Sequence, residues 1–369
     1  MLLFSERLHV GVNKPVKKTK RATIEDVARK AGLSKTAVSF VFNGRSGVSA
    51  ESQKRIMQAA EELGWRPDAR ARALSLSQTH VLGLVVKRDP SLLSTDPFFA
   101  GFVSGVQMGL AEHNYSLMLQ VVSDTEAERL AYQQLVREAK VDGVFLTDLE
   151  TEDFRPRLLT TLRIPIVVVG PPSHETENVA AVEMNDAAGV KRAVQHLAAL
   201  GHKVIGHVSG NDKYVHTRSR RDAWIETLEE LGLPQGPYIS ADFTGEGGAR
   251  ATHELLDLPN APTAIVYGND LMAIAGMFAA GDRGLSVPND LSVIGFDDIP
   301  LAPYVTPRLT TVRQNAIEWG RCAALTLIAL VENRPFPEFE MPPVEFIVRS
   351  STGPAPHLPP AVTAPNHDR

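Results

Sequence analysis

Apolar residues recur at helical spacing through residues 23–63 and then switch to alternating strand and helix spacing. Ile24, Val27, Ala28 and Ala31 share one stripe of a predicted helix over 23–31, with Thr23 as N-cap and Asp26 three residues on. Gly32 ends that helix, and Ser34 caps a second one over 35–43. On the second helix Ala37, Val38, Val41 and Phe42 point inward, whereas Lys35, Thr36, Ser39, Phe40 and Asn43 form a face that no core needs. Residues 43–47 read as a turn. Ser49 caps a third helix through Leu63, with Ile56, Ala59, Ala60 and Leu63 inside, and Gly64 stops it before Trp65-Arg66-Pro67. Residues 68–76 are helix-prone but only about two turns long, too short to hold alone. Their arginines point to a polyanion that would order them.

From Val81 the pattern predicts strands at 81–86, 117–122, 144–146, 166–169, 204–208, 264–267 and 291–296. Helices are predicted at 98–113, 126–139, 186–200, 220–231 and 270–283. Apolar strands alternating with helices mean parallel sheets covered on both faces. The stretch is too long for one such sheet, so two lobes are expected. The fold class is a helical helix-turn-helix unit followed by an α/β, two-lobed unit. Residues 1–20 read as a disordered basic arm (Lys14, Lys17, Lys18, Lys20), with DNA contact or no role at all as its two readings. The Pro-rich residues 354–369 read as a disordered tail.

Charge separates the same two parts. Residues 1–78 carry 15 Lys and Arg against 7 Asp and Glu, while the rest carry 23 against 36. A basic head on an acidic body fits a phosphate-binding module joined to a domain that does not bind nucleic acid. The two-helix pattern is the shape of a helix-turn-helix, whose second helix reads base edges in the DNA major groove. Cys322 is the only cysteine, which excludes a disulfide framework and a cysteine zinc site. No apolar run reaches the roughly 18 residues of a membrane span. Glu6, Arg7 and His9 interrupt the first ten residues, so these do not read as a signal peptide and a cytoplasmic protein is expected. No Gly-x-Ser-x-Gly elbow or Walker loop occurs, and the glycines of residues 245–248 are too few and misplaced for a dinucleotide fingerprint. His196, His202 and His207 lack the spacing of a helical metal pair, so neither enzyme activity, a cofactor nor a metal is expected.

Residues 22–43 resemble the N-terminus of the LacI/GalR family of bacterial transcriptional regulators. The likeness runs on through Val48-Ser49, Trp65-Arg66-Pro67, residues 71–74, residues 79–86 and residues 96–99. It continues through residues 196–202, Gly268-Asn269-Asp270, residues 293–298, residues 309–312 and residues 349–352. It covers residues 22–353, with the motifs in family order. The resemblance implies a DNA-binding domain at 21–67, a hinge helix at 68–78, and an effector-binding and dimerisation domain at 79–353 like periplasmic sugar-binding proteins. Lobe crossings near 178–181, 312–316 and 340–343 would give a first lobe of about 79–179 plus 314–341. The second would be about 180–313 plus 342–353.

By position, Lys35, Thr36 and Phe40 match the base-contacting residues of that family, while Ser34, Ser39, Asn43 and Arg45 suit phosphates. Thr23 joins this DNA-facing set. Lys35 could pair with guanine. Phe40 departs from the Arg or His common there: it either touches a thymine methyl or packs on the third helix. Leu74 matches the family's hinge leucine, a minor-groove wedge, with packing under the core as the alternative. Ala71 and Ala73 would let two hinges approach, with Arg70 and Arg72 near phosphates. A homodimer on a near-palindromic operator follows.

Ligands of open α/β sheets sit beyond the carboxyl ends of strands. Asp297, Asn269 and Asp270 follow such strands, and Arg220 is taken to begin a helix whose arginine reaches the ligand in the family. Asp, Asn and Arg converging on one cleft suit vicinal hydroxyls. Asp96, Phe98 and Phe99 follow the first strand and could wall the cleft, while Asp270 and Asp297 could instead simply cap helices. The expected function is a cytoplasmic, nucleoid-associated repressor released by a small sugar-like effector. A dual regulator or activator, a repressor needing a purine-like co-repressor, and an exported solute-binding protein are the alternatives.

Overall fold

The structure, a computed structural model, describes residues 22–42, 45–66, 78–88, 96–172, 179–339 and 341–356. They divide into two units, one within residues 1–79 and one within 80–369. Asn43, Arg70, Ala73 and Leu74 lie outside the described residues, as do the expected arm, residues 68–77 of the hinge, and residues 357–369.

The first unit is three helices, α1 (Ile24–Ala31), α2 (Lys35–Phe42) and α3 (Ala50–Glu62). Thr23 and Asp26 form a reciprocal capping box, with the Asp26 amide donating to the Thr23 hydroxyl and the Thr23 amide to Asp26 at 3.0 Å. Gly32 stops α1 in the left-handed region at φ 65°, and a Cβ there would lie 2.9 Å from the Arg55 guanidinium. Val27, Ala28, Ala31, Val38, Ile56, Ala59 and Ala60 form the core. Phe42 closes it edge-on against Trp65, with ring centroids 5.0 Å apart.

The second unit begins with a five-stranded parallel sheet, order β2-β1-β3-β4-β5. Its strands are β1 (Val81–Lys87), β2 (Ser116–Val122), β3 (Gly143–Leu146), β4 (Ile166–Val169) and β5 (Ala180–Val182). One face packs on α4 (Pro97–Glu112) and α11 (Ala316–Val331), the other on α5 (Thr125–Arg137) and α6 (Phe154–Thr161). Helices α4 and α11 approach so closely that a Cβ on Gly105 would fall 1.8 Å from the Ile317 carbonyl oxygen.

The second lobe is a four-stranded parallel sheet, order β7-β6-β8-β9. These strands are β6 (Ile205–Ser209), β7 (Tyr238–Ser240), β8 (Ala264–Tyr267) and β9 (Ser292–Ile294). Helices α7 (Asp186–Ala199) and α8 (Val215–Glu230) cover one face, and α9 (Gly245–Leu256) and α10 (Asp270–Asp282) the other. Gly248 lets these last two touch, since a Cβ there would meet the Met272 backbone at 2.5 Å. An antiparallel pair, β10 (Thr311–Arg313) and β11 (Glu345–Ile347), completes the lobe.

Three expectations are corrected. Residues 180–182 do not open the second lobe: they pair with β4, and the first crossing follows Val182. The Trp319 indole ties that edge down by donating to the Val182 carbonyl at 2.8 Å. Helix α8 starts at Val215, so Arg220 sits inside it and does not begin it. The tail is not free from residue 354 onward, because the Ala355 amide donates to the Leu200 carbonyl at 2.9 Å. The other two crossings lie at 314–315 and 342–343, between the packed clusters of the two lobes.

Candidate ligand cleft and nucleic-acid interface

In the first unit, α2 turns Lys35 and Thr36 fully outward and leaves Ser39 and Phe40 half-buried. Ser34 caps this helix, its hydroxyl accepting from the Ala37 amide at 3.1 Å. Lys35 is ion-paired with Glu25 on α1. Phe40 is not among the side chains packed in the three-helix core. The chain after α2 returns over it, placing the Arg45 guanidinium 5.9 Å from its ring and Gly47 alongside. The outward face of α2 thus offers an ammonium, two hydroxyls and one aromatic edge, groups suited to a DNA groove.

In the second unit, β1, β3, β4, β6 and β8 all end toward the same gap between the lobes, which follows the rule for parallel sheets. The gap has an outer chamber of about 410 Å³ joined to an inner pocket of about 90 Å³. Asp96, Phe98, Phe99, Arg220, Asn269 and Asp297 line it. Asp270 does not. Its carboxylate turns into the second lobe, accepting from the Thr311 hydroxyl and, at 2.8 Å, from the Ile299 amide. It is fully buried, and burial pushes its pKa up to about 7 despite those bonds. It holds β10 and the 299 loop together.

Among the described residues, each lobe supplies one arginine to the cleft. Arg88, just past β1, donates to both Asp148 oxygens at 2.7–2.9 Å and to Asp96 at 2.6 Å. Burial opposes ionisation of Asp148, but Arg88 and the other cations near it together hold the carboxyl below its ordinary range. Arg220 donates twice to Asp186, at 3.0 and 2.7 Å, and once to the Gly268 carbonyl at 3.0 Å. Its guanidinium stacks 3.9 Å over the Phe296 ring. Both arginines are fixed before any ligand arrives.

Asp297 sits between the lobes with φ 111°, a conformation that a side-chain-bearing residue rarely adopts. Its amide bonds to Val312 at 2.8 Å, and Gln314 donates to its carboxyl at 2.8 Å. Burial drives the Asp297 pKa well above the usual carboxylate range, even though Arg220 pulls it down. The Asn269 carbonyl caps α10 by accepting from Met272 at 2.9 Å, and its amide donates to the Phe243 carbonyl at 3.0 Å. It therefore anchors a wall of the cleft. Phe98 meets Trp319 edge-on at 5.8 Å, and His216 lies 5.7 Å from Phe243. Aromatic faces on both sides suit the C–H faces of a ring.

Sequence reasoning missed Arg88, Asp148, Asp186, His216, Phe243, Gln314 and Trp319. Arg88 and Asp148 were findable, since both follow the carboxyl ends of central strands. Gln314 and Trp319 flank a lobe crossing and carry no local signature.

Comparison with known proteins places both units. Residues 23–68 match the model for bacterial regulatory proteins of the lacI family, and residues 194–352 that for a periplasmic binding protein-like domain. The HTH-type transcriptional repressor PurR of Photobacterium profundum is 33% identical over 338 residues, 89% of this chain and 98% of the relative. The ribose operon repressor of Escherichia coli K12 is 33% identical over 310 residues, 83% and 92% respectively. Among solved structures, the lac repressor dimer bound to operator and the anti-inducer ONPF aligns with TM-score 0.78 at 25% identity. That alignment spans 90% of this chain and 100% of the other. A complex of the regulator CelR with cellobiose aligns at 0.69 and 30% identity, with the same coverage.

Proposed function

This chain belongs to the lacI family of bacterial regulatory proteins, and we propose that it is a transcriptional repressor whose grip on DNA is set by a small sugar-like molecule in the interlobe cleft. The observation that carries the ligand is the pair of pre-fixed arginine–carboxylate clusters, Arg88 with Asp148 and Arg220 with Asp186, facing one aromatic-walled cavity. Arginine and carboxylate each engage two neighbouring oxygens, so the pattern favours a ring bearing adjacent hydroxyls. Because the clusters belong to different lobes, a ligand touching both has differential affinity for one lobe arrangement. That difference is all that a population shift requires.

The exposed Lys35 and Thr36 of α2 would read base edges, with Ser34, Ser39 and Arg45 on phosphates. A homodimer on a near-palindromic operator supplies two such helices at matched spacing. Support comes from the relatives, named as repressors, and from the lac repressor dimer on its operator. In this reading the protein works in the bacterial cytoplasm at the nucleoid and catalyses nothing. No helix among the described residues is long and apolar enough to cross a membrane.

The test is a fluorescence-anisotropy titration of operator DNA, selected by the protein from a random pool, with and without candidate sugars. The reading expects one sugar to weaken binding at least tenfold. A sugar that tightens binding would make the ligand a co-repressor. If none of a broad panel has an effect, the cleft does not serve sugars.

A further inference from the structure

Among the described residues, the cations lining the cleft are already paired with carboxylates. Arg88 lies between Asp148 and Asp96, and Arg220 is held by Asp186. Lys87 is 2.9 Å from Glu150 and 3.4 Å from Glu128, and Lys213 is 3.2 Å from the same Glu150. Burial pushes the His216 ring down to about 4, so it is neutral near pH 7. Among the described residues, six aspartates line the two chambers against these four fixed cations, and burial disfavours the charge on one of them, Asp297. The unmet needs are on the acceptor side. Asp186 Oδ1 and Gln314 Oε1 are buried without a hydrogen-bond partner, and both residues line the inner pocket. A buried acceptor is costly until a donor reaches it.

We propose that the ligand is an uncharged, donor-rich molecule, a neutral sugar or polyol whose hydroxyls donate to Asp186, Gln314 and Asp297. The corollary is that the cleft rejects the uronate and phosphate forms of the same sugars. This rests on the sugar reading above and narrows it. A hydroxyl donates to one neighbour and accepts from another, so it can sit between a guanidinium edge and a carboxylate oxygen. A carboxylate or phosphate brings only acceptors and negative charge to a site already rich in both. The guanidinium charges are already balanced by Asp186, Asp148 and Asp96, so a further anion would meet like charge beside each arginine.

Isothermal titration of the full chain tests this with matched pairs: glucose against glucuronate and glucose 6-phosphate, galactose against galacturonate, ribose against ribose 5-phosphate. Any neutral sugar that binds should do so on the order of 100-fold more tightly than its acidic counterpart, the size expected for a like charge held close in a partly screened site. An acid or phosphate binding as tightly as its neutral partner overturns the inference and leaves the sugar reading standing. Binding of no member of any pair overturns the sugar reading and the inference together. A second arm uses Asp96→Asn, which removes one of the two carboxylates on Arg88. An asparagine carbonyl can still accept from the Phe99 amide at the start of α4. The neutral-over-acid ratio should fall about threefold, in line with one lost charge interaction at a partly exposed position. A ratio unchanged in that variant would mean that charge is not what the cleft selects.

Discussion

Replacing Arg220 by methionine should destabilise the two-lobed unit and abolish ligand response, and the two effects can be separated. Arg220 and Asp186 are 8% and 5% exposed, so both charges are desolvated and each relies on the other. Methionine keeps most of the aliphatic stem but removes the cation that stacks on the Phe296 ring. Asp186 then loses both of its bonds from Arg220, and its other oxygen already has no partner. Breaking one side of a buried pair costs about 3–5 kcal/mol, because the survivor stays buried and uncompensated. At about 2 °C per kcal/mol for a unit of this size, the melting temperature should fall by about 6–10 °C. Trp224 reports this directly, since it is fully buried on the same helix as Arg220. The double variant Arg220→Met, Asp186→Asn removes the stranded charge and should recover more than half of the lost stability. It should recover none of the ligand affinity, because the guanidinium is still missing. A single variant that melts within about 2 °C of the parent would refute the buried pair. A double variant that binds ligand normally would refute the place of Arg220 in the site.

Asp270→Asn tests the burial of a carboxyl that was expected in the cleft. Its pKa is raised from 3.8 to about 7 in the fold, so the native state holds the extra proton. The contribution is fully present below pH ~4 and is lost as pH rises through about 7, on the order of 4 kcal/mol in all. The parent's melting temperature should drop across that window, and the Asn variant should lose that component of the slope. Thr23→Ala removes the capping box of α1 and should cost the three-helix unit about 1 kcal/mol. Melting followed by the Trp65 indole resonance would show it, with the second unit unchanged. Glu25→Gln frees Lys35 from its partner and removes an anion beside the DNA-facing helix. DNA binding should tighten, specific and non-specific alike, and log K against log salt should steepen.

The three-helix unit was legible because local chemistry specifies it. Thr23, Gly32, Ser34 and Ser49 mark its boundaries, and the inner positions of α1–α3 repeat at helical spacing. The parallel sheets were legible for the same reason: their strands are short apolar runs between amphipathic helices. What escaped depends on contacts between distant segments. Strand β5 is three residues of Ala and Val, and the distant Trp319 helps to hold it on its sheet. The start of α8 was missed because Tyr214 makes no side-chain cap. Of the glycines of residues 245–248, weighed as a cofactor loop, Gly248 instead lets α9 press against α10. In the cleft, Asp270 and Asp297 have equivalent positions in the sequence, each just beyond a strand. Only the packing of β10 and its neighbours decides that one faces the lobe and the other the cavity. Arg88 obeyed the strand-end rule but carried no motif to single it out.

In the proposed function, the cleft and the DNA-reading helix are two sites of one linked system. Linkage makes this measurable without knowing the pathway between them: the factor by which ligand changes operator affinity must equal the factor by which operator changes ligand affinity. Both can be measured on the same preparation, operator affinity at zero and saturating sugar, and sugar affinity with and without saturating operator. The two factors should be equal and at least ten, and in Arg220→Met the same sugar concentrations should leave operator affinity unchanged. Operator affinity that stays constant while the cleft fills with sugar would contradict the linkage.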